Sequence, residues 1–421
     1  MIKKIIERFL SIFKREGTTS EKELPETEHK PELHTNLPSI NPIKTSHKSS
    51  VTQNLLKERL KEDNILLLGH LVSKDEGKSN LKIPGIPNFN TISDVLEYFE
   101  KEYKIKKSKL ANFASFSSKT NQFYIERKIL QKSSKIGNKA RYIYIPKPFV
   151  KFVQKVILKD ILEKVETPPQ LVGFTKNKSI KDAVVSHVKK DVVLILDIEK
   201  FFQNTTAKKV FNIFKNIGYS REVSLFLTAL TTTKVKVENK KGFKGKRALP
   251  TGSPTSPYLS KLALIDFVAE LNELIKKWQN MPIKDVDFSV YADNIIISFN
   301  TENKEKRKEI SKGIIENLQE LLKKHGYKLN KEKTKILTKK KKVLGLVINE
   351  KINIDRNYYR KLRAEIHNLW KNKQRFGESS FQIDEKLIQK IRGKLNYLKL
   401  INPSKYNSLF IKYSTHLEEL F

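Results

Sequence analysis

The sequence predicts an α+β protein with more than one core, and three observations carry that expectation. An apolar run at 192–196 ends abruptly in Asp197 and reads as a buried strand. Two short β-rich runs, 288–291 and 295–299, flank Ala292-Asp293-Asn294 and read as a hairpin with an acid in its turn. Long stretches at 207–217 and 304–325 repeat apolar residues at helical spacing. At 421 residues the chain is long enough for two or three subdomains.

Taken in order, residues 1–16 place Ile2, Ile5, Ile6, Phe9, Leu10 and Phe13 at helical spacing among Lys3, Lys4, Arg8 and Lys14. They make a basic amphipathic helix suited to docking on the body of the protein, on a partner or on a membrane surface. Residues 17–50 carry Pro25, Pro31, Pro38 and Pro42 with little apolar periodicity, the pattern of a disordered linker. A helix is expected over 91–101, a strand at 139–146 and a helix over 149–165. The strand at 191–197 leads into a helix over 207–217, and the Pro/Gly-rich loop Leu249-Pro250-Thr251-Gly252-Ser253-Pro254-Thr255-Ser256-Pro257 opens an apolar helix over 258–271. After the hairpin come a helix over 304–325 and a strand pair at 335–337 and 343–348. From Asp355 onward the chain reads as helical and strongly basic.

Lys and Arg number 83 against 46 Asp and Glu, a formal net charge of +37. An excess of that size attracts polyphosphate and drives counterion release on binding, which points to a nucleic-acid partner. The absence of cysteine excludes disulfides, thiolate metal sites and a cysteine nucleophile, and suits a reducing compartment. The N-terminal segment is too charged for a secretory core and too short to span a bilayer, so a cytoplasmic protein without a membrane span is expected.

Asp197 and Asp293 are the residues with chemistry. Nucleotidyl transfer needs divalent cations to activate a 3′-hydroxyl and to neutralise charge on departing pyrophosphate, and such hard-cation sites are built from carboxylates at strand ends. Two strands that each carry an acid at the tip could bring both to one edge of a sheet. Taken singly, an Asp that ends a strand caps the next helix or turn, and a Pro/Gly loop before a helix is ordinary punctuation.

Their order is more specific. Strand-Asp197-x-x-x-Phe201-Phe202, then Leu249-Pro250-x-Gly252-x-Pro254-x-Ser256-Pro257, then Tyr291-Ala292-Asp293 in a hairpin resembles the successive palm motifs of reverse transcriptases. Upstream, Arg141-x-Ile143-x-x-Pro146 with Lys151 and Gln154 resembles their fingers motif; downstream, Leu329-Asn330-x-x-Lys333-Thr334 and Leu344-Gly345 resemble the last palm motifs. Several stretches look like those of bacterial retron enzymes. Gln170-Leu171-Val172-Gly173-Phe174 leads to His187, which resembles the retron region ending in Asn-Ala-x-x-His, with Ala183-Val184 in place of Asn-Ala. Val343-Leu344-Gly345 resembles the retron Val-Thr-Gly, and Arg392-Gly393-Lys394-Leu395-x-Tyr397 with Ile401-Asn402-Pro403 resembles the retron thumb.

The resemblance implies a right-hand polymerase with fingers, palm (an antiparallel sheet plus helices) and helical thumb. Its divisions fall at 1–50 (helix and linker), 51–190 (N-terminal helices and fingers), 191–342 (palm with a fingers insertion) and 343–421 (palm end and thumb). It implies an RNA-directed DNA polymerase that copies part of a cognate structured RNA into DNA, in anti-phage defence. Rival readings are a reverse transcriptase of another defence system or of an intron-type element, and a catalytically weakened RNA-binding scaffold. Partners would be the RNA template and primer, the RNA–DNA duplex, dNTPs and an accessory effector protein. Two Mg²⁺ ions, with Mn²⁺ as the substitute, would be held by Asp197, Asp293 and the carbonyl of Ile198, with Asn294 as a further member of the catalytic turn, where the family usually has a second Asp. Arg141 and Lys139 would grip the triphosphate, Gly252 would lie beside the nucleotide, and Phe202 would exclude a 2′-hydroxyl. Lys333 would touch the phosphates or protonate pyrophosphate. His187, Arg356, Arg360 and Arg363 would contact RNA.

Overall fold

The structure, a computed structural model, describes residues 78–116, 123–131, 139–239, 242–278, 281–376 and 385–413. The amphipathic helix and linker expected over 1–50 lie outside the described residues. In chain order the elements are α1 (Ile92–Tyr103), α2 (Lys107–Phe116), β1 (Tyr124–Gln131), β2 (Lys139–Pro146), α3 (Pro148–Asp160) and β3 (Val192–Asp197). Then follow α4 (Ala207–Ile217), α5 (Arg221–Thr231), β4 (Thr233–Asn239), β5 (Gly242–Ala248), α6 (Ser256–Leu262), α7 (Ile265–Lys277), β6 (Lys284–Tyr291), β7 (Asn294–Asn300) and α8 (Arg307–Lys324). The short strands β8 (Lys335–Leu337), β9 (Lys342–Val343), β10 (Leu346–Val347) and β11 (Asn353–Ile354) precede α9 (Arg356–Phe376), α10 (Glu385–Ile401) and α11 (Pro403–Lys412).

Two compact units interleave along the chain: Met1–Glu166 with Phe202–Ala263, and Thr167–Phe201 with Leu264–Phe421. The expected palm range, 191–342, holds all four strands of the second unit's sheet, and Phe202–Ala263 within it belongs to the first unit.

In the first unit, α1 starts where Thr91 and Asp94 form a reciprocal capping box, and it buries Ile92, Val95, Leu96 and Phe99 at helical spacing. Strands β1 and β2 pair antiparallel from Tyr124↔Pro146 to Gln131↔Lys139. The loop over 249–257 is bolted to this framework. The Tyr144 N–H donates to the Thr251 carbonyl at 2.8 Å. Buried Gln154 donates to Tyr124 Oη at 2.8 Å and to the Leu230 carbonyl at 3.0 Å, and accepts from Ser253 Oγ at 2.6 Å. Gly252 has φ +111°, and a Cβ there would stand 3.0 Å from the Tyr144 carbonyl, so the protein's own backbone demands this glycine.

In the second unit the strands run in the order β6-β7-β3-β8, all antiparallel. Val192, Leu194 and Leu196 of β3, with Ile295, Ile297 and Phe299 of β7, pack in one core with Phe267, Leu271, Ile314 and Leu318 from α7 and α8. Val193 and Ile296 point the other way, into a second core with Leu346, Leu362, Ile366, Leu395 and Leu398. Both faces are covered, so β3 reads as continuously apolar and does not alternate. Each such side chain contributes roughly 1.5–3 kcal/mol by its burial, which fixes the register against a slip.

Three sequence expectations need correction. The helix expected over 258–271 is two helices, α6 and α7, separated at Ala263 and Leu264, where the chain passes from the first unit to the second. Residues 343–348 do not pair with β8. They form a tight hairpin of β9 and β10 in a separate three-stranded sheet, turned by Leu344 and Gly345 at φ +48° and +87°, while β8 pairs with β3. Asn294 lies outside the turn: it opens β7 opposite Tyr291, and the turn is Ala292-Asp293 with Ala292 at φ +57°.

Candidate active site

The second unit brings Asp197, Ile198, Asp293, Asn294 and Lys333 together. Asp197 ends β3, is 6% exposed, and is the Cα partner of Asn294 across the β3–β7 ladder. The next rung is the Ile198 N–H donating to the Asp293 carbonyl at 2.8 Å, which fixes the hairpin tip beside the end of β3. Residues directly opposite in a ladder send their side chains to the same face, so Asp197 and Asn294 share a face and Asp293 adjoins them. Asn294 Nδ2 donates to Asp293 Oδ1 at 3.0 Å.

A turn after Leu329 supplies the partners of Asp197. The Asn330 N–H donates to the Asp197 carbonyl at 2.8 Å, and Asn330 Nδ2 donates to Asp197 Oδ1 at 3.1 Å. Lys333 Nζ is 3.1 Å from both carboxylate oxygens, while its own side chain is 62% exposed. Thr334 holds the turn through its hydroxyl, donated to the Asn330 carbonyl at 3.0 Å.

The segment at 170–173 buttresses the hairpin from the side. Val172 and Gly173 donate to the Val290 carbonyl at 3.0 and 3.2 Å, and Val290 donates to Gln170 at 2.8 Å. A Cβ on Gly173 would stand 2.3 Å from the Ala292 nitrogen, so only glycine lets this segment lie under the turn. The Gln-Leu-Val-Gly run in the sequence was the signal, although its role is visible only in the fold.

His187, expected at the RNA interface, has its side chain in the interior. It is fully buried, with Nδ1 2.7 Å from Ser298 Oγ and Nε2 2.9 Å from Ser289 Oγ. Ser289 spends its only hydroxyl hydrogen on the Ala183 carbonyl at 2.7 Å, so Nε2 carries the ring proton and Nδ1 accepts from Ser298. Burial pushes the imidazole down to about 4, and the ring stays neutral.

The first unit carries the other expected residues. Arg141 is exposed on β2, opposite Ile129, and Lys139 begins that strand. Phe202 is half-buried, whereas Phe201, in the second unit, is the core ring of the pair, 5.6 Å from the Tyr327 ring. In the second unit, Arg356, Arg360 and Arg363 are exposed on α9 at i, i+4 and i+7, while Leu362 and Ile366 of the same helix are buried. Beside the start of α9 lies a cavity of about 710 Å³ walled by Lys340, Lys342 and Lys361 with the Tyr358 and Tyr397 rings.

Among the described residues no group of three or more His, Cys, Asp or Glu is placed to hold a metal ion, and no helix is long and apolar enough to cross a membrane. The donor set that fits a hard divalent cation is the pair Asp197 and Asp293 at one end of the sheet.

Residues 130–348, about half of the chain, match the family model described as reverse transcriptase (RNA-dependent DNA polymerase). The retron Ec86 reverse transcriptase of Escherichia coli is 30% identical over 285 residues, covering 67% of this chain and 78% of that one. The retron Mx162 reverse transcriptase of Myxococcus xanthus is 27% identical over 297 residues, 66% of this chain and 58% of that one. A telomerase from Candida albicans, solved with a fragment of telomeric RNA, aligns over 76% of this chain and 61% of that one at 12% identity and a TM-score of 0.36.

Proposed function

The chain belongs to the reverse transcriptases, and among them to the bacterial retron type; from that premise we propose that it copies part of a cognate structured RNA into DNA by two-metal nucleotidyl transfer. The observation that carries this reading is the pairing of Asp197 with Asn294, continued by the bond from Ile198 to Asp293, which gathers two carboxylates at one sheet end.

Asp197 and Asp293, with the carbonyl of Ile198, would hold Mg²⁺ or Mn²⁺. When bound, the cations supply the Lewis acidity that activates a primer 3′-hydroxyl and neutralises the leaving pyrophosphate. Lys333, exposed and ammonium-bearing, is suited to contact the phosphates or deliver a proton to pyrophosphate. Arg141 offers an exposed planar fork for a triphosphate, with Lys139 in the same role, and Gly252 keeps the neighbouring loop close to β2. A half-buried Phe202 ring is suited to exclude a 2′-hydroxyl. Arg356, Arg360 and Arg363 form a basic face for the backbone of an RNA or an RNA–DNA duplex. A role in anti-phage defence, with an effector protein, follows from the retron resemblance alone.

Primer extension on an RNA template with dNTPs and MgCl₂ tests the activity, and sequencing of co-purifying nucleic acid tests the retron reading, for which RNA-linked DNA is the expected product. Phe202→Ala should admit NTPs by roughly tenfold or more; unchanged discrimination would move the filter elsewhere. Each Arg→Ala on α9 should lower the salt slope of RNA binding by about one. One observation favours a second reading, an RNA-binding scaffold: Asn294 stands where the family usually has Asp. RNA binding without any extension would favour it.

A further inference from the structure

Asp197 and Asp293 each accept a hydrogen bond from a side-chain amide, and the two amides come from different elements. Asn330 Nδ2 reaches Asp197 Oδ1 at 3.1 Å, and Asn294 Nδ2 reaches Asp293 Oδ1 at 3.0 Å. An ionised carboxylate only accepts, so each amide must present its nitrogen, and its orientation is dictated by chemistry. Asn330 is itself fixed, because its backbone N–H donates to the Asp197 carbonyl at 2.8 Å while its own carbonyl accepts from Lys333, Thr334 and the Thr334 hydroxyl at 3.2, 3.2 and 3.0 Å. Asn294 is fixed by the ladder, as Cα partner of both Asp197 and Tyr291.

We infer that Asn294 and Asn330 are positioning residues which aim the Asp293 and Asp197 carboxylates by donated amide hydrogen bonds. The inference rests on the reading of those two aspartates as the metal-holding pair. Asn294 stands between them: its Cα faces Asp197 across the ladder and its amide is bonded to Asp293. A carboxylate at 294 would remove a donor and set a third negative charge against two others, and like charges directly opposite in a ladder destabilise it. The amide does the reverse, donating to Asp293 and restricting the rotation of its carboxylate before any cation arrives. Asn294 acts through Asp293, and its departure from the family's second Asp need not disable the site.

The test uses the full chain and MnCl₂, with free Mn²⁺ read by its electron paramagnetic resonance signal, beside melting temperature in EDTA and primer extension. Asn294→Ala and Asn330→Ala should each bind Mn²⁺ several-fold more weakly, and raised Mn²⁺ should recover most of their extension rate. Asn330→Gln, which keeps the donor on a longer stem, should recover part of the lost affinity. Asn294→Asp should melt lower than wild type in EDTA and regain that loss when MnCl₂ is added. Wild-type Mn²⁺ affinity in both alanine variants, or an unchanged melting temperature of Asn294→Asp in EDTA, overturns the inference. Asp197→Ala and Asp293→Ala separate it from its premise: if these still bind Mn²⁺ and extend primers as wild type does, the metal-site reading fails first, whereas if they are inactive and the asparagine variants behave as wild type, only the positioning role falls.

Discussion

Two polar clusters occupy the same face of one sheet in the second unit, and they have opposite character. At one, His187 meets Ser289 and Ser298 with every ring nitrogen bonded and no exposed surface. At the other, Asp197 meets Asn330 and an exposed Lys333 beside a half-buried Asp293 and Asn294. The first is a closed, neutral set that pins the segment around 183–188 to β6 and β7. The second is charged and open at the strand ends. Both interrupt an apolar pattern with polar residues, so residue type alone does not separate the closed cluster from the open one. Access to solvent and net charge do.

Mutations at the two clusters should therefore divide cleanly between activity and stability. The largest effect belongs to the open cluster: Asp197→Ala or Asp293→Ala should lower primer extension by about three orders of magnitude or more while far-ultraviolet dichroism and RNA affinity persist. Residual extension near the wild-type rate in either would erase the distinction.

His187→Ala should do the opposite, costing about 2–4 kcal/mol in urea denaturation by leaving a cavity and stranding the Ser298 hydroxyl, with RNA affinity per folded molecule unchanged. A variant of full stability but weakened RNA binding would restore His187 as a contact residue. The same ring gives a pH signature. The unfolded chain takes up a proton below pH 6.5, and the folded ring resists until about 4, so this contribution is complete above pH 6.5 and is lost as pH falls towards 4. The span is on the order of 3 kcal/mol, and the difference between wild type and His187→Gln, followed from pH 7 to 4.5, isolates it.

The smallest change in stability should come from Lys333→Ala. Its ion pair with Asp197 has one strongly exposed partner, and such pairs contribute only about 0–1 kcal/mol. A loss of several kcal/mol in thermal or urea unfolding would mean that the open cluster also carries the fold.

Much of this was readable in the chain. The apolar run ending in Asp197 and the two β runs around Asp293 foretold two paired strands, because side chains buried on both faces leave a strong local signature. The helix over Ala207–Ile217 was likewise foretold by its spacing and ended by Gly218 at φ +110°. Less was readable where local pattern is ambiguous. Apolar residues run on through Ala263 and Leu264 because the helices on both sides of the break are buried, so periodicity did not mark the division between α6 and α7. Residues 343–348 look like one strand, and only the two left-handed residues Leu344 and Gly345 fold them into a hairpin.

The sequence by itself determined the order of the motifs, the two carboxylates at strand ends and the basic excess, since these follow from residue type and spacing along the chain. Tertiary structure alone decided which polar residues face water and which pair with one another. His187 became a core residue because two serines from β6 and β7 meet its nitrogens, and Asn330 became a partner of Asp197 because Leu329 bridges to Ile198. These residues lie more than a hundred positions apart, and a hydrogen bond over that separation is set by the packing of the sheet, which no local pattern encodes.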